Sequence, residues 1–379
     1  MAPIQQENVR QAEPQGGLFA RLEAWLERRA GAVFLWPAVL LMLALAIFPL
    51  LASVYLSLSR IQFRSGAVSF QFVGWANYKK LLFGTEQAHF LGIGKALTPL
   101  GWVAFVVVAG LLLWWIIRHA NRKGGLAGLL YRIAVSVLVG FLVWTLLSRL
   151  AGQPGTVQTT LVYVFFGTAM QYLLGLGLAL LCAQKLPGIR FFRVIYLLPL
   201  AITPVGVAYM FRMLTDTGRG PLNPIWSALG LSNFSWVNDP WGARFAVMIG
   251  DIWQWTPFMF IVLLAAVQSL PQEQIEAAVV DGAGRIQTFL YIVFPYLIPV
   301  SASILLIRLI EAFKIVDLPN VLTNGGPGTA TESMTLQAFF AWRTLDLGGA
   351  AAIAFFLLIL VGVIATVYAN VVVARARGD

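Results

Sequence analysis

Eight apolar runs, each of about 20 residues, divide this sequence at about 33–58, 98–117, 132–150, 158–182, 194–214, 242–268, 289–312 and 350–373. A helix of that length rises far enough to cross a hydrocarbon core of about 30 Å. No water inside a bilayer can satisfy loose backbone groups, so a spanning segment must be a helix or part of a closed barrel. Barrel strands need only about 9–11 residues, so runs this long are predicted to be helices. The fold class is therefore all-α: a polytopic membrane helical bundle of about eight spans. An apolar fraction of 59% with only 11% charged residues exceeds what a soluble core of 379 residues needs. The fifth run carries Pro199 and Pro204, the seventh Pro295 and Pro299. Such interruptions are tolerated where neighbouring helices re-satisfy the backbone or a cavity is lined.

The connectors set the orientation. The short one with Arg118, Arg122, Lys123 and Arg132 and the short one with Lys185, Arg190 and Arg193 are predicted to face the cytoplasm. Both chain ends then lie inside. The net charge of +10 is scattered between apolar runs, which points to an anionic lipid surface as counterpart and not to nucleic acid. Leu18, Phe19, Leu22, Trp25 and Leu26 fall on one helical face, so an interfacial helix is expected ahead of the first span. The single Cys182 cannot make an intrachain disulfide, and His89 and His119 stand alone in loops, so no metal site is expected. Neither a phosphate-binding glycine loop nor a catalytic constellation is present: Gly94-Lys95 continues into Ala96.

Between the sixth and seventh runs lies a compact polar stretch, Glu276-Ala277-Ala278-Val279-Val280-Asp281-Gly282-Ala283-Gly284. Ser269 with Gln272 reads as a capping box opening a short helix, with Pro271 in its first turn. Ile275, Ala278 and Val279 share a face, and Asp281-Gly282 ends the helix because glycine reaches positive φ without a Cβ clash. Arg285 then starts a second helix that enters the membrane. A short helix, a bend and a re-entering span make a plug for the groove of a cytoplasmic partner.

Glu276-Ala277-Ala278, Asp281-Gly282-Ala283, Phe289, Ile292, Pro295 and Pro299 together resemble the EAA loop of permease subunits from ATP-binding-cassette (ABC) importers. Trp253-Gln254-Trp255-Thr256-Pro257-Phe258 before it and Leu322-Thr323-Asn324-Gly325-Gly326-Pro327-Gly328 after it resemble the maltose and glycerol-3-phosphate branch. The likeness runs from about 161 to 373, with a weaker patch in 36–83. It implies a type I importer transmembrane domain at 158–373. The rest would be a cytoplasmic segment at 1–32, a first span with outer loop and an inserted two-span hairpin at 33–157, and a tail at 374–379. Six-span relatives pass almost directly from the Asn77-Tyr78 neighbourhood to the run near Leu161, so the hairpin at 98–150 departs from the pattern.

The resemblance further implies a bacterial inner-membrane permease for a sugar or polyol. Its partners would be a second permease subunit, two ATPase subunits and a periplasmic or lipid-anchored binding protein. The chain itself would be no enzyme and hold no cofactor, ATP and Mg being bound by the ATPases. Glu276, Ala277, Ala278, Asp281, Gly282 and Ala283 would couple it to them. The outer loop at 316–349 would either face the binding protein or simply connect spans.

Polar groups inside spans are costly unless they face a bundle interior. Asp251, Gln254, Arg308 and Glu311 qualify. Arg308 and Glu311 lie three apart, the spacing of a structural ion pair; the other reading is a polar pathway faced by Trp253, Trp255 and Phe258. Ungapped transfer of the relatives' sugar contacts falls on Asp251, Gln254, Trp255, Phe258, Arg308, Ala312 and Ile315. Ala312 and Ile315 cannot supply polar contacts. A secondary transporter using Asp251 or Glu311 as proton carrier is the competing class; it leaves the EAA stretch unexplained.

Overall fold

Prolines and glycines decide where the apolar runs start, bend and stop. The structure, a computed structural model, describes residues 35–64, 67–119, 125–150, 152–184, 187–231 and 234–373. The chain divides into two compact units, 1–56 and 57–379. The first holds nearly all of α1 (Leu35–Ser57), an apolar helix with a π-helical turn at Leu43–Ile47. The expected interfacial helix at 18–26 and the tail at 374–379 lie outside the described residues.

The second unit opens with a feature the all-helical expectation lacked. Strands β1 (Ser59–Arg64) and β2 (Ala67–Phe72) pair antiparallel, Ser59 opposite Phe72. The sequence alternates apolar and polar residues across much of this stretch, the period of a strand. Helices α2 (Ala76–Phe83) and α3 (Gln87–Leu91) follow. Buried Asn77 donates Nδ2 to the carbonyls of Ser57 (2.8 Å) and Ser59 (3.0 Å), tying α2 to the hairpin base.

Helices α4 (Pro99–His119) and α5 (Gly125–Leu150) pack against each other as a hairpin. Arg149 anchors its outgoing end by donating to the carbonyls of Leu91 and Gly92. Next come α6 (Thr156–Cys182) and the pair α7 (Ile189–Ala201) and α8 (Pro204–Leu214), which meet at 100°. Proline lacks an N–H and cannot continue a helix ladder, and Thr203 opens α8 by accepting from Gly206 N–H (3.3 Å). The fifth run is thus two helices joined at a sharp bend. The remaining helices are α9 (Asn223–Ala228), α10 (Pro240–Gln268), α11 (Gln272–Val280), α12 (Arg285–Ala312), α13 (Asp317–Thr323), α14 (Met334–Arg343) and α15 (Leu347–Tyr368). Among the described residues seven helices are long and apolar enough to cross a bilayer, or eight if the bent pair counts as one span.

The centre of the bundle is α10, with α6 and α12 against it. Leu176, Ala179, Met259, Phe260, Leu263, Leu297 and Ile304 form one core; Val207, Phe211, Val247 and Leu318 form a second nearer the start of α10. The α6–α10 approach depends on glycine. A Cβ at Gly175 would sit 2.5 Å from Met259 Cβ and 2.9 Å from the Phe260 nitrogen, whereas one at Gly177 would meet open space. Overpacking a tight site costs about 1–3 kcal/mol. Gly175→Leu is expected to lower the thermal midpoint of the purified protein by several degrees and Gly177→Leu to leave it unchanged.

Candidate functional site

Polar residues on three helices meet in the bundle interior. On α6 and α10 they lie between the two apolar cores. Gln171 of α6 donates Nε2 to the Asp251 carboxylate (2.8 Å) and accepts from Arg308 Nε (2.8 Å). Arg308 closes the triangle with a bond from Nη2 to Asp251 Oδ2 at 2.5 Å. The two ionised side chains are only 1% and 8% exposed, so each has exchanged water for the other and for Gln171. The Arg308 guanidinium also lies 4.6 Å from the centre of the Trp255 ring, a cation–π stack.

This corrects the expected Arg308–Glu311 pair. Glu311 binds Lys314 Nζ (2.7 Å) at a partly exposed edge, while Arg308 turns inward to the neighbouring helices. Spacing on one helix made the first pair possible; burial favoured the inward partner, because a carboxylate at Asp251 needs a counter-charge.

A cavity of about 160 Å³ opens beside the triangle, bordered by Pro204 at the α7/α8 break, Asp251, Gln254, Trp255, Arg308, Glu311, Lys314 and Ile315. Gln254 donates Nε2 to the carbonyl of Ile202 (3.0 Å), a backbone group freed by that break. Its Oε1 is buried without a hydrogen-bond partner among the described residues. Six of the eight expected pathway residues therefore share one cavity wall. The other two do not. Phe258 packs beside the Met259–Leu263 core, and Ala312 is buried among Phe90, Leu161 and Leu309, on the side of α12 turned to another core. Gln171 was missing from the expected set; an amide inside an apolar run was the signal for it.

At the end of α10 remote from its N-terminus, the chain turns into α11. Ser269 does not cap it: its Oγ donates to the Ala266 carbonyl (2.9 Å), and Pro271 occupies the N-cap with no side-chain bond. The bend forms as expected, with Gly282 at φ +79°, Gly282 N–H on the Val279 carbonyl (3.0 Å) and Ala283 N–H on that of Ala278 (2.9 Å). Gln287 Oε1 accepts from Gly284 N–H (2.9 Å) and starts α12. Of the shared face only Ala278 is buried. Val279 and Val280 stand 65% and 87% exposed, with Glu276, Ala277, Asp281 and Gly282 exposed beside them and Ala283 half-buried.

The opposite end of the bundle holds residues 324–333, whose composition announces only a turn. Asn324 and Gly325 take positive φ, and residues 330–334 fold inward and are buried. Arg244, near the start of α10, donates Nε to the Ala330 carbonyl (2.7 Å), and Tyr163 Oη donates to that of Thr331 (3.1 Å). His89 is not alone: it sits in α3, and its Nε2 lies 2.9 Å from Glu332 Oε2. That bond to Glu332 raises the imidazole's pKa above its ordinary value, against burial, which lowers it.

Residues 171–378 match the family described as "Binding-protein-dependent transport system inner membrane component". The trehalose/maltose transport system permease protein MalF of Thermococcus litoralis is 37% identical over 220 residues, 58% of this chain and 74% of that one. The sn-glycerol-3-phosphate transport system permease protein UgpA of Shigella flexneri is 32% identical over 221 residues, 58% and 75% of the two chains. A chain from the crystal structure of a bacterial ABC transporter involved in import of the acidic polysaccharide alginate shares the fold: TM-score 0.60 at 19% identity, covering 94% of this chain and 98% of that one. With the family match spanning more than half its length, the chain belongs to the inner-membrane permease components of binding-protein-dependent ABC transport systems.

Proposed function

We propose that this permease carries a sugar or polyol across the inner membrane past the cavity at the α7/α8 break. A second permease subunit would complete the pathway, a binding protein would deliver the solute, and two separate ATPase subunits, holding ATP and Mg, would drive it through α11. The observation that carries the reading is the unpartnered Oε1 of buried Gln254, set beside the flat ring of Trp255 in a polar cavity. Sugar hydroxyls donate to such an oxygen, and aromatic faces cover their C–H surface. Arg308 and Asp251 neutralise each other there, which suits an uncharged solute. Among the relatives' named substrates, trehalose and maltose are uncharged and hydroxyl-rich, whereas glycerol 3-phosphate is an anion. Both termini would be cytoplasmic, so a cysteine at Thr329 should react with an impermeant reagent added outside, in a background lacking Cys182.

Reconstitution with the cognate ATPase and binding protein tests the reading. Trehalose and maltose uptake should require ATP, and Gln254→Leu, which removes both the acceptor for the solute and the bond to the Ile202 carbonyl, should lower it about tenfold or more, with basal ATP hydrolysis intact. Uptake by this chain alone on a proton gradient would reject the proposal in favour of a secondary transporter.

A further inference from the structure

A second polar cavity, of about 230 Å³, lies where α3, residues 330–333, α14 and the start of α15 converge. Glu332 and Gln337, each 4% exposed, line it. His89 holds one carboxylate oxygen of Glu332, and Thr156 Oγ1 donates to the Gln337 carbonyl oxygen (2.7 Å). The other half of each group is unused: Glu332 Oε1 and Gln337 Nε2 are buried with no partner among the described residues. Lys80 fixes the rim by bridging Glu86 (2.8 Å) and Asp346 (3.2 Å).

These two atoms are one acceptor and one donor, and they belong to side chains that line a single cavity. An ammonium group would satisfy Glu332 and leave Gln337 unmet. An anion would satisfy Gln337 and be repelled by Glu86, Glu332 and Asp346. A hydroxyl does both, donating to the carboxylate and accepting from the amide. Phe340 adds an apolar face on the same wall. At about 30 Å³ of liquid volume per water, the cavity has room for a small polyol or one sugar ring, well beyond a single bridging water.

We propose that this pocket is a second binding site for a neutral polyhydroxy ligand, separate from the cavity at Gln254. It lies at the end of the bundle opposite α11; that this end is extracytoplasmic rests on the transport reading, while the ligand class rests on the pocket's own chemistry.

The test is saturation-transfer NMR on the purified full-length permease complex with glycerol, glucose and trehalose as probes and methylammonium as the cation control. Glucose or glycerol should bind, and binding should persist in Gln254→Leu. Ala341→Phe, which fills the cavity and leaves its polar groups in place, should abolish it. Thr344→Trp, placed from the exposed rim, should do the same should Ala341→Phe fail to assemble, and Gln337→Leu should weaken it at least fivefold. Absence of saccharide binding, preference for methylammonium, or loss of the signal in Gln254→Leu alone would overturn the proposal. Normal uptake by Gln254→Leu together with pocket-dependent binding would instead count against the transport pathway and leave this site standing.

Discussion

Arg308→Ala is expected to destabilise the folded permease by about 3–5 kcal/mol, the usual effect of removing one partner from a buried ion pair. The loss comes less from the missing attraction than from what stays behind. Asp251, 8% exposed, would keep only the Gln171 amide as partner and would have to hold its charge without water. Arg308→Lys should recover little, since an ammonium cannot reach Gln171 and Asp251 together as the planar guanidinium does through Nε and Nη2. Arg308→Leu combined with Asp251→Leu and Gln171→Leu should recover most of the stability, because apolar replacement of a whole buried ionic cluster is often neutral. Thermal unfolding of the detergent-purified protein, followed by size-exclusion chromatography, reads all three. The partner assignment has its own control: Glu311→Ala added to Arg308→Ala should restore nothing, because Glu311 binds Lys314. Restoration by Glu311→Ala would return the pair to α12 and refute the triangle.

The same triangle marks the limit of reading the sequence. Crossing segments were legible because about 20 consecutive apolar residues leave the backbone no alternative in lipid. The bend at Gly282 was legible because its cause is local, a helix stop that glycine alone reaches without strain. Pro199 and Pro204 marked a break, though neither its 100° angle nor the Gln254 amide from another helix that takes up the Ile202 carbonyl. Partners across helices were not legible. Gln171 and Arg308 are 137 positions apart, and no local pattern links them. The i,i+3 rule offered Glu311 because it counts neighbours on one helix and ignores how far an arginine reaches across to others. Ala312 and Phe258 entered the expected pathway by ungapped transfer from relatives; in this chain Ala312 is buried in an apolar core and half-buried Phe258 packs against another. The inward fold of residues 330–334 was hidden for a similar reason: glycines and a proline announce a turn, and residues distant in sequence, among them His89, Thr160, Tyr163 and Arg244, draw it into the bundle.

Coupling gives the other large expected effect, a loss of ATP-driven uptake of about tenfold or more in Gly282→Pro, which should leave membrane insertion intact. Gly282 sits at φ +79° and its N–H holds the Val279 carbonyl (3.0 Å). Proline can adopt neither that angle nor that bond, since its ring fixes φ near −65° and removes the hydrogen. The bend that sets α11 against α12 would have to reorganise. Gly282→Ala separates geometry from mere substitution: a Cβ there meets nothing within 4 Å, so it carries only the left-handed penalty of about 1–2 kcal/mol and should keep most uptake. Val280→Asp tests the face and leaves the bend alone. An apolar side chain 87% exposed on a segment that follows a membrane span is suited to a partner's groove, and a carboxylate there would carry its desolvation into the interface. Glu276→Lys reverses a charge on the same exposed helix. ATP hydrolysis by the reconstituted complex, with and without loaded binding protein, should lose its stimulation in Gly282→Pro, Val280→Asp and Glu276→Lys, with solute binding unchanged. Full stimulation in all three would mean that α11 does not transmit the ATPase's motion, and the coupling proposal would fall.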